Sequence, residues 1–343
     1  MKDFCYGIMG YSSINIGDEI QSIASSRFLP YIDTFVHRET ISKYKSDKKT
    51  KLITNAWWMW TPKNFPPSED IEPLLIAMHF TPDARKKILT KKTKEYFMKH
   101  GPVGCRDKGS CEWLNNNGIS AYFSGCLTLT LQRNHKITKK NFILTVDLDE
   151  KVLNEIKKRT SRPVYNISRM VLPHNQNNRF EMAKIYLYLY QSAHCVVSSR
   201  LHVCMPCLAL ETPVLMIDSN DKLLYADERY EGLKDLCNLV TENEFLTNEN
   251  IYDFENPTKN PKDYLILREE LIKKCSEFTG YNNTNSLIDI INEEEIIFKL
   301  VNYARYRYFN HLKYLQWWLE PYDLIKTFIK KVVFRKTRYD LKK

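Results

Sequence analysis

His194-Cys195-Val196-Val197-Ser198-Ser199-Arg200-Leu201-His202 is the stretch that decides the fold. The apolar run over 194–197 predicts a buried strand, and the residues after it predict the first turn of a helix. That turn would place the guanidinium of Arg200 and the imidazole of His202 at the carboxyl edge of a parallel sheet, where open α/β folds bind ligands. A fixed cation beside a titratable group indicates an anionic ligand.

The same alternation of short apolar runs and helices extends over most of the chain, which predicts an α/β fold with parallel sheets. In the first half we expect strands at 4–10, 51–56, 74–78, 103–106 and 121–124, and helices at 17–27 and 108–116. In the second half we expect strands at 141–146, 164–167, 194–197 and 214–217, and helices at 149–159, 179–191 and 200–210.

A basic, polar connection over 132–140 interrupts this alternation and predicts a domain boundary. We therefore expect an N-terminal Rossmann-like domain over 1–135 and a C-terminal one over 136–285. From Ser286 onward the alternation ends, and the pattern predicts a helical extension over 286–343.

Further polar motifs follow the predicted strands of the first half. They are Asn15-Ile16-Gly17-Asp18-Glu19-Ile20-Gln21, then Val103-Gly104-Cys105-Arg106-Asp107-Lys108-Gly109-Ser110, and then Gly125-Cys126-Leu127-Thr128-Leu129. Together with the Ser-Arg-Leu-His turn at 199–202, and in this order, they resemble the polysaccharide pyruvyltransferase family over about residues 4–240. The resemblance implies two Rossmann-like domains facing across a cleft, as in glycosyltransferase-B-like proteins, with the acceptor on the N-terminal side.

The reaction that the resemblance implies is pyruvyl transfer from phosphoenolpyruvate, whose carboxylate and phosphate both suit arginine. We expect Arg200, Arg106 and Ser199 to bind this donor. His202, which we expect to titrate near neutrality, is assigned as general acid or phosphate ligand, with a packed or capping histidine as the alternative. Asp107 is interpreted as the N-cap of its helix.

For the acceptor sugar, we expect Asp18 to act as the base or to orient a hydroxyl. Asn15 and Gln21 are assigned as acceptor-binding residues, although Asn15 is also well placed to cap a helix. Three tryptophans occur within 57–60, and an exposed indole is a common platform for a sugar ring. Trp57 and Trp60 are therefore acceptor candidates, with plain packing an equal alternative.

Composition excludes several other classes. The 343 residues include only ten glycines and carry neither G-x-G-x-x-G nor the P-loop pattern, so no glycine-rich phosphate loop is predicted. The C-x-x-C at Cys204–Cys207 falls inside a predicted helix and is interpreted as buried small residues, and no metal site is predicted. We expect no cofactor besides phosphoenolpyruvate as donor substrate.

Nine cysteines without a regular spacing, and no signal-peptide apolar region at the start, predict a cytoplasmic protein. The formal net charge is +10, and the stretch 322–343 holds eight Lys or Arg and two Asp, which is 8 − 2 = +6. Apolar residues recur there at helical spacing, which is typical of an amphipathic helix on an anionic membrane. The alternative is a helix packed on the body; no motif indicates nucleic-acid binding.

These features predict a pyruvyltransferase that forms a pyruvate ketal on a sugar of a surface glycan or lipid-linked oligosaccharide. One alternative is a nucleotide-sugar-dependent glycosyltransferase that uses the same two-domain arrangement. The other is a non-catalytic glycan-binding protein docked on a membrane. The sequence identifies neither the acceptor sugar nor the oligomeric state.

Overall fold

The computed structural model describes residues 4–169, 176–218, 226–292 and 294, and its strands and helices alternate as the class α/β requires. Met1–Ile290 form one compact unit. The strands are β1 Cys5–Gly10, β2 Thr34–His37, β3 Thr50–Ile53, β4 Trp57–Trp58, β5 Ile71–Leu74, β6 His79–Phe80, β7 Val103–Cys105, β8 Ala121–Phe123, β9 Ile143–Val146, β10 Val164–Ile167, β11 Cys195–Ser198, β12 Val214–Asp218 and β13 Asn238–Thr241.

The helices cover and connect these strands. They are α1 Ile16–Ser26, α2 Pro82–Ile88, α3 Lys91–His100, α4 Lys108–Asn116, α5 Glu150–Lys158, α6 Gln176–Ser192, α7 Leu201–Ala209, α8 Ala226–Tyr230, α9 Glu242–Thr247 and α10 Tyr264–Thr279. Short 3-10 turns occur at Arg38–Lys43, Pro62–Asn64, Leu127–Thr130 and Lys234–Leu236.

The first half is built on a parallel sheet of order β2-β1-β3-β5, followed by the parallel pairs β4-β6 and β7-β8. Backbone bonds continue the pairing from the segment before β6 to β7, because Met78 N donates to Gly104 O at 3.0 Å and Arg106 N donates to Met78 O at 2.7 Å. The carboxyl ends of β6 and β7 therefore lie side by side. Trp58, Phe80 and Phe97 pack in the apolar core beneath them.

The second half is a five-stranded parallel sheet of order β10-β9-β11-β12-β13. Every residue of β9 and β11 is buried, whereas the edge strands β10 and β13 contain only half-buried and exposed residues. This difference explains why the apolar run at 194–197 was so visible in the sequence, because a central parallel strand is covered on both faces. The two parallel sheets with their helices confirm the predicted fold class.

Several predicted elements have different bounds. The strand predicted at 74–78 is wrong, because β5 ends at Leu74 and Ala77 adopts a left-handed φ of 51° before β6 begins. Residues 286–292 form no helix, and the rest of the predicted helical extension, including the basic stretch 322–343, lies outside the described residues. The domain limits at 135 and 285 stay predictions. Within the described ranges, no helix is long and apolar enough to cross a membrane.

Candidate active site

The first side of the site is the turn from β7 into α4. Arg106 follows the strand and is fully buried, and Asp107 is the N-cap of α4, where one carboxylate oxygen accepts a hydrogen bond from Ser110 N at 2.8 Å. The other oxygen of Asp107 lies 2.6 Å from Nδ1 of the buried His79. The predicted cap is thus observed, and Arg106 lies beside it at the strand end.

The second side is the turn from β11 into α7. Ser198 Oγ accepts a hydrogen bond from Arg200 N at 3.1 Å, and Arg200 occupies the N-cap position of α7. Arg200 forms no side-chain cap, so the N-cap residue offers no acceptor to the positive end of this helix. His202 lies in the first turn and is 5% exposed.

These two turns meet. Arg106 Nη1 lies 3.1 Å from His202 Nε2 and 3.4 Å from Gln21 Oε1. Since a guanidinium has only donors, Nε2 accepts this bond and the proton of the neutral imidazole sits on Nδ1. The start of α1 packs against the same ring, because a Cβ added at Gly17 would lie 2.8 Å from His202 Nδ1. Residues from three separate motifs of the sequence therefore come together at His202.

More arginines surround this contact than the motifs predicted. The charges of Arg106, Arg229 and Arg169 act on His202, and those of Arg106, Arg169 and Arg200 act on Arg229. Arg169 is paired with Asp147 at 2.6 Å. Within the described part of the chain, guanidinium nitrogens of the other three are buried without a hydrogen-bond partner, namely Nε and Nη2 of Arg106, Nε of Arg200 and Nε of Arg229.

This excess of positive charge sets the protonation of the histidine. Burial and then the neighbouring arginines, Arg106 first, hold the pKa of His202 well below its usual range. The expected titration near neutrality therefore does not apply to the protein without a bound anion, in which His202 is neutral. Buried polar nitrogens without partners are costly unless a ligand satisfies them, so the geometry and the charge both fit an anion site.

Contacts between the halves hold the site in place. Arg169 O accepts a hydrogen bond from Ile16 N at 3.0 Å, at the start of α1. Glu19 on α1 pairs with Arg179 on α6 at 2.6 Å, and both side chains are buried. Burial raises the pKa of Glu19 to about 7, although Arg179 opposes the shift. Tyr230 OH donates to Ser199 O at 3.1 Å and thereby connects α8 to the turn before α7.

The acceptor residues predicted on and before α1 make three different kinds of contact. Asn15 caps α1 by accepting a hydrogen bond from Gly17 N at 3.1 Å, and Gln21 contacts Arg106. Asp18 is buried, accepts a hydrogen bond from Ser13 Oγ and lies 3.7 Å from Arg38 Nη1. Among the described residues, no hydrogen bond or ion pair joins Asp18 to Arg106 or His202.

The two tryptophans lie at the end of the first half's sheet. Trp60 is 73% exposed, and its ring meets Trp57 edge-on with centroids 4.9 Å apart. Trp57 is half-buried, and the guanidinium carbon of the buried Arg38 lies 4.3 Å from its ring centroid. An exposed indole beside a half-buried one is the arrangement that the predicted sugar platform needs.

Sequence reasoning missed Arg229, Arg169, His79 and Arg38. Arg229 lies in the five-residue helix α8, too short to show a periodic pattern, and nothing in its neighbourhood marks it. His79 had a usable signal, since it follows the apolar run 74–78 just as Arg106 follows its own strand. Among the described residues, no group of three His, Cys, Asp or Glu side chains forms a metal site.

A family model matches the central part of the sequence. Residues 74–221 match the model of the polysaccharide pyruvyl transferase family. The matched range contains His79, Arg106, Asp107, Arg200 and His202, and it excludes the predicted acceptor residues of the first 60 positions. The resemblance seen in the motifs is thereby confirmed, and it implies a transferase. No curated protein matches the chain significantly.

Solved structures similar to the chain share little sequence with it. An uncharacterized protein from Klebsiella pneumoniae is 12% identical, with a TM-score of 0.38 over 66% of this chain and 86% of its own. The UDP-GlcNAc 2-epimerase of Methanocaldococcus jannaschii is 10% identical, with a TM-score of 0.35 over 88% of this chain and 99% of its own. S. aureus MnaA, solved with UDP, is 10% identical, with a TM-score of 0.38 over 90% of this chain and 97% of its own.

Proposed function

Because residues 74–221 carry a polysaccharide pyruvyl transferase domain, we propose that the protein transfers the enolpyruvyl group of phosphoenolpyruvate to a sugar of a surface glycan. The product is a cyclic pyruvate ketal. The observation that carries the proposal is the cluster of Arg106, Arg200 and Arg229, whose buried nitrogens lack partners in the described part of the chain.

Phosphoenolpyruvate fits this cluster by charge and by shape. Its carboxylate and phosphate each accept paired hydrogen bonds from a planar guanidinium, and three arginines supply enough donors for both groups. The uncapped start of α7 adds backbone amides and the positive end of a helix dipole, with Ser199 and Arg200 at its edge. Arg106 from the first half and Arg200 from the second then hold the donor from opposite sides.

His202 supplies the proton that starts the reaction. Binding a trianion beside this imidazole reverses the local potential and raises its pKa, so the ring takes up a proton. Arg106 then transfers its hydrogen bond from His202 Nε2 to the ligand. The imidazolium donates a proton to the methylene carbon of the donor, which turns the adjacent carbon into an electrophile.

The remaining bonds follow from that step. One sugar hydroxyl attacks the electrophilic carbon, phosphate leaves with its bridging oxygen, and a second hydroxyl closes the ketal. Two hydroxyl protons are released, of which one restores His202 and the other leaves with the phosphate. The acceptor lies towards the first half, where Trp57 and Trp60 stack on the sugar and Asp18, Asn15 and Gln21 contact or orient its hydroxyls.

The first test is thermal stabilisation of the wild type and of Arg200→Ala by phosphoenolpyruvate and by a panel of nucleotide sugars. A ligand at a hundredfold excess over its Kd stabilises the native state by about 2.7 kcal/mol, which a melting curve resolves easily. We expect stabilisation by phosphoenolpyruvate that the variant loses. Stabilisation by a nucleotide sugar alone would contradict the proposal and would indicate glycosyl transfer.

Turnover is tested separately. The wild type is incubated with phosphoenolpyruvate and p-nitrophenyl glycosides of common hexoses and N-acetylhexosamines, and the product is sought as a glycoside that has gained pyruvate minus water. A control with Arg162→Ala, an arginine paired with Glu255 in the second half, retains the activity. Binding without turnover on any acceptor would favour the non-catalytic alternative.

We further propose a cytoplasmic protein that associates with membranes through 322–343. All nine cysteines are free, which fits a reducing compartment. The full chain and a form shortened at 321 are compared for flotation with anionic and with neutral lipid vesicles. Binding to anionic vesicles that requires the last 22 residues supports the proposal, and equal flotation of both forms contradicts it.

A further inference from the structure

The buried pair of His79 and Asp107 has no role in the reaction as described so far. Nδ1 of His79 lies 2.6 Å from Asp107 Oδ2, and the two side chains are 4% and 0% exposed. A carboxylate only accepts hydrogen bonds when ionised, so Nδ1 carries the proton. No described residue forms a hydrogen bond with Nε2 of this ring.

Asp107 holds the imidazole in a fixed orientation. Its Oδ1 accepts the bond from Ser110 N at the start of α4, so the carboxylate has no freedom to rotate away from His79. Ser110 Oγ accepts a hydrogen bond from Phe80 N at 3.0 Å and lies 3.4 Å from His79 Nδ1. The cap of α4 and the end of β6 thus form one rigid unit around the ring.

The pair lies between the two substrate regions. In the register of the parallel strands, His79 is the partner of Trp57, so both side chains leave the same face, opposite Trp58 and Phe80 in the core. On the other side, the charges of Arg106 and Arg229 act on His79, and the charge of His79 acts on His202. The ring is therefore a neighbour of both the indole platform and the arginine cluster.

We propose that His79 is a catalytic residue, the base that activates the first attacking hydroxyl, and that Asp107 is its positioning residue. This inference rests on the proposed function. Nε2 takes the proton of the hydroxyl as its oxygen bonds to the electrophilic carbon, and Asp107 stabilises the imidazolium that forms. The same proton then passes to the departing phosphate, and the second hydroxyl returns a proton to His202.

The ring of His79 is neutral, so its Nε2 can accept a proton. Burial, followed by Arg106 and Arg229, lowers the pKa of His79 to about 4 even though Asp107 raises it, and Asp107 itself has a lowered pKa owing to His79 and Arg106. The pair is thus neutral imidazole beside carboxylate at neutral pH. Asp18, with its own contacts to Ser13 and Arg38, is left to orient the acceptor.

The test uses the full chain with His79→Gln, His79→Ala and Asp107→Asn, and with His100→Gln on α3 as the matched control. The kcat of ketal formation is measured with the best p-nitrophenyl glycoside, and the Kd of phosphoenolpyruvate is measured by calorimetry. We expect His79→Gln to lower kcat by about 10²–10⁴-fold with an unchanged Kd, and Asp107→Asn to lower kcat with the cap retained. His100→Gln keeps the wild-type kcat.

Chemical rescue distinguishes catalysis from structure. Added imidazole should accelerate a folded His79→Ala variant and leave His79→Gln unaffected, because only the alanine leaves space for the ring. If His79→Ala does not fold, the kcat and the donor Kd of His79→Gln alone decide the test. Any one of three results would overturn this inference alone. They are a wild-type kcat in His79→Gln, a loss of donor affinity in proportion to the loss of rate, and a folded His79→Ala variant that imidazole does not accelerate. A wild type that makes no ketal overturns the proposed function and this inference with it.

Discussion

The turn from β7 into α4 and the turn from β11 into α7 have the same plan but opposite chemistry at the helix start. In each turn an arginine lies between the end of the strand and the start of the helix. In the first turn Asp107 follows Arg106 and caps α4, whereas in the second Arg200 itself occupies the cap position of α7 and offers no acceptor. The start of α4 is capped by a side chain, and the start of α7 receives no cap from the side chain of Arg200.

This difference separates a positioning turn from a binding turn. The capped start of α4 fixes Asp107 and, through it, His79. The uncapped start of α7 adds its dipole to three arginines whose buried nitrogens have no hydrogen-bond partner among the described residues. A helix start that lacks a side-chain cap beside buried, unpaired guanidinium groups is thus a better indication of an anion site than the arginine alone.

The largest expected effect comes from removing the buried cation of the first turn. Arg106→Met should weaken phosphoenolpyruvate binding by about 10²-fold, because hydrogen bonds to charged groups contribute about 1.5–3 kcal/mol each. The same variant should melt at a higher temperature without ligand, since a buried charge that forms no salt bridge with the described residues is replaced by an apolar chain. Calorimetry and melting curves measure the two effects. A lower melting temperature with unchanged affinity would show that Arg106 is structural.

Next in size is a variant that makes the second turn resemble the first. Arg200→Asp places a capping carboxylate at α7, which should stabilise the helix by about 1 kcal/mol and repel the donor. We expect donor affinity to fall by a smaller factor than in Arg106→Met, because Arg200 is only half-buried, while the melting temperature holds or rises. Donor affinity equal to that of the wild type would remove the basis for distinguishing the two turns.

A steric variant tests whether the two halves must touch. The Cβ in Gly17→Ala would lie 2.8 Å from both Cβ and Nδ1 of His202, so the start of α1 and the ring must move apart at a cost of about 1–3 kcal/mol. Melting temperature and donor affinity should both fall. Gly118→Ala is the control, because it strains a left-handed φ of 76° with no atom within 4 Å, and it should reduce only the melting temperature. Equal behaviour of the two variants would contradict the contact.

The smallest expected signal is proton uptake by the second turn. The pKa of His202 in the free protein is well below 6.5, and a bound anion raises it, so binding takes up protons at pH values between the two. Affinity therefore falls as the pH rises through the pKa of the bound state. Titrations in buffers of different ionisation enthalpy give the proton number for the wild type and for His202→Asn. The same uptake in both would assign the proton to another group.

The sequence predicted the elements whose physical signals are local. Central strands such as β9 and β11 are buried on both faces and read as apolar runs, and Asn15 and Asp107 were recognisable as caps from their places before helices. Arg106 and His202 are separated by 96 positions, yet both were found because each follows a buried strand.

What the sequence did not predict depends on packing between distant segments. The pKa of His202 is lowered by burial and by the charges of Arg106, Arg229 and Arg169. No periodic pattern in the sequence predicts that these three arginines lie near the same ring. The irregular segment between β5 and β6 was not predicted, because five consecutive apolar residues are typical of a single strand. Its left-handed Ala77 ends that strand early and places His79 in a strand of its own.

The hydrogen bond between Arg106 and His202 also sets an order of events during synthesis. After Arg106 the ribosome adds 96 residues to reach His202, which takes about 5–20 s at roughly 5–20 residues per second. During that interval the nascent chain contains Arg106 but still lacks Arg200, α7 and the imidazole of His202. Arg106 must stay hydrated until the second half arrives, so its buried contact with His202 forms only after α7 has emerged.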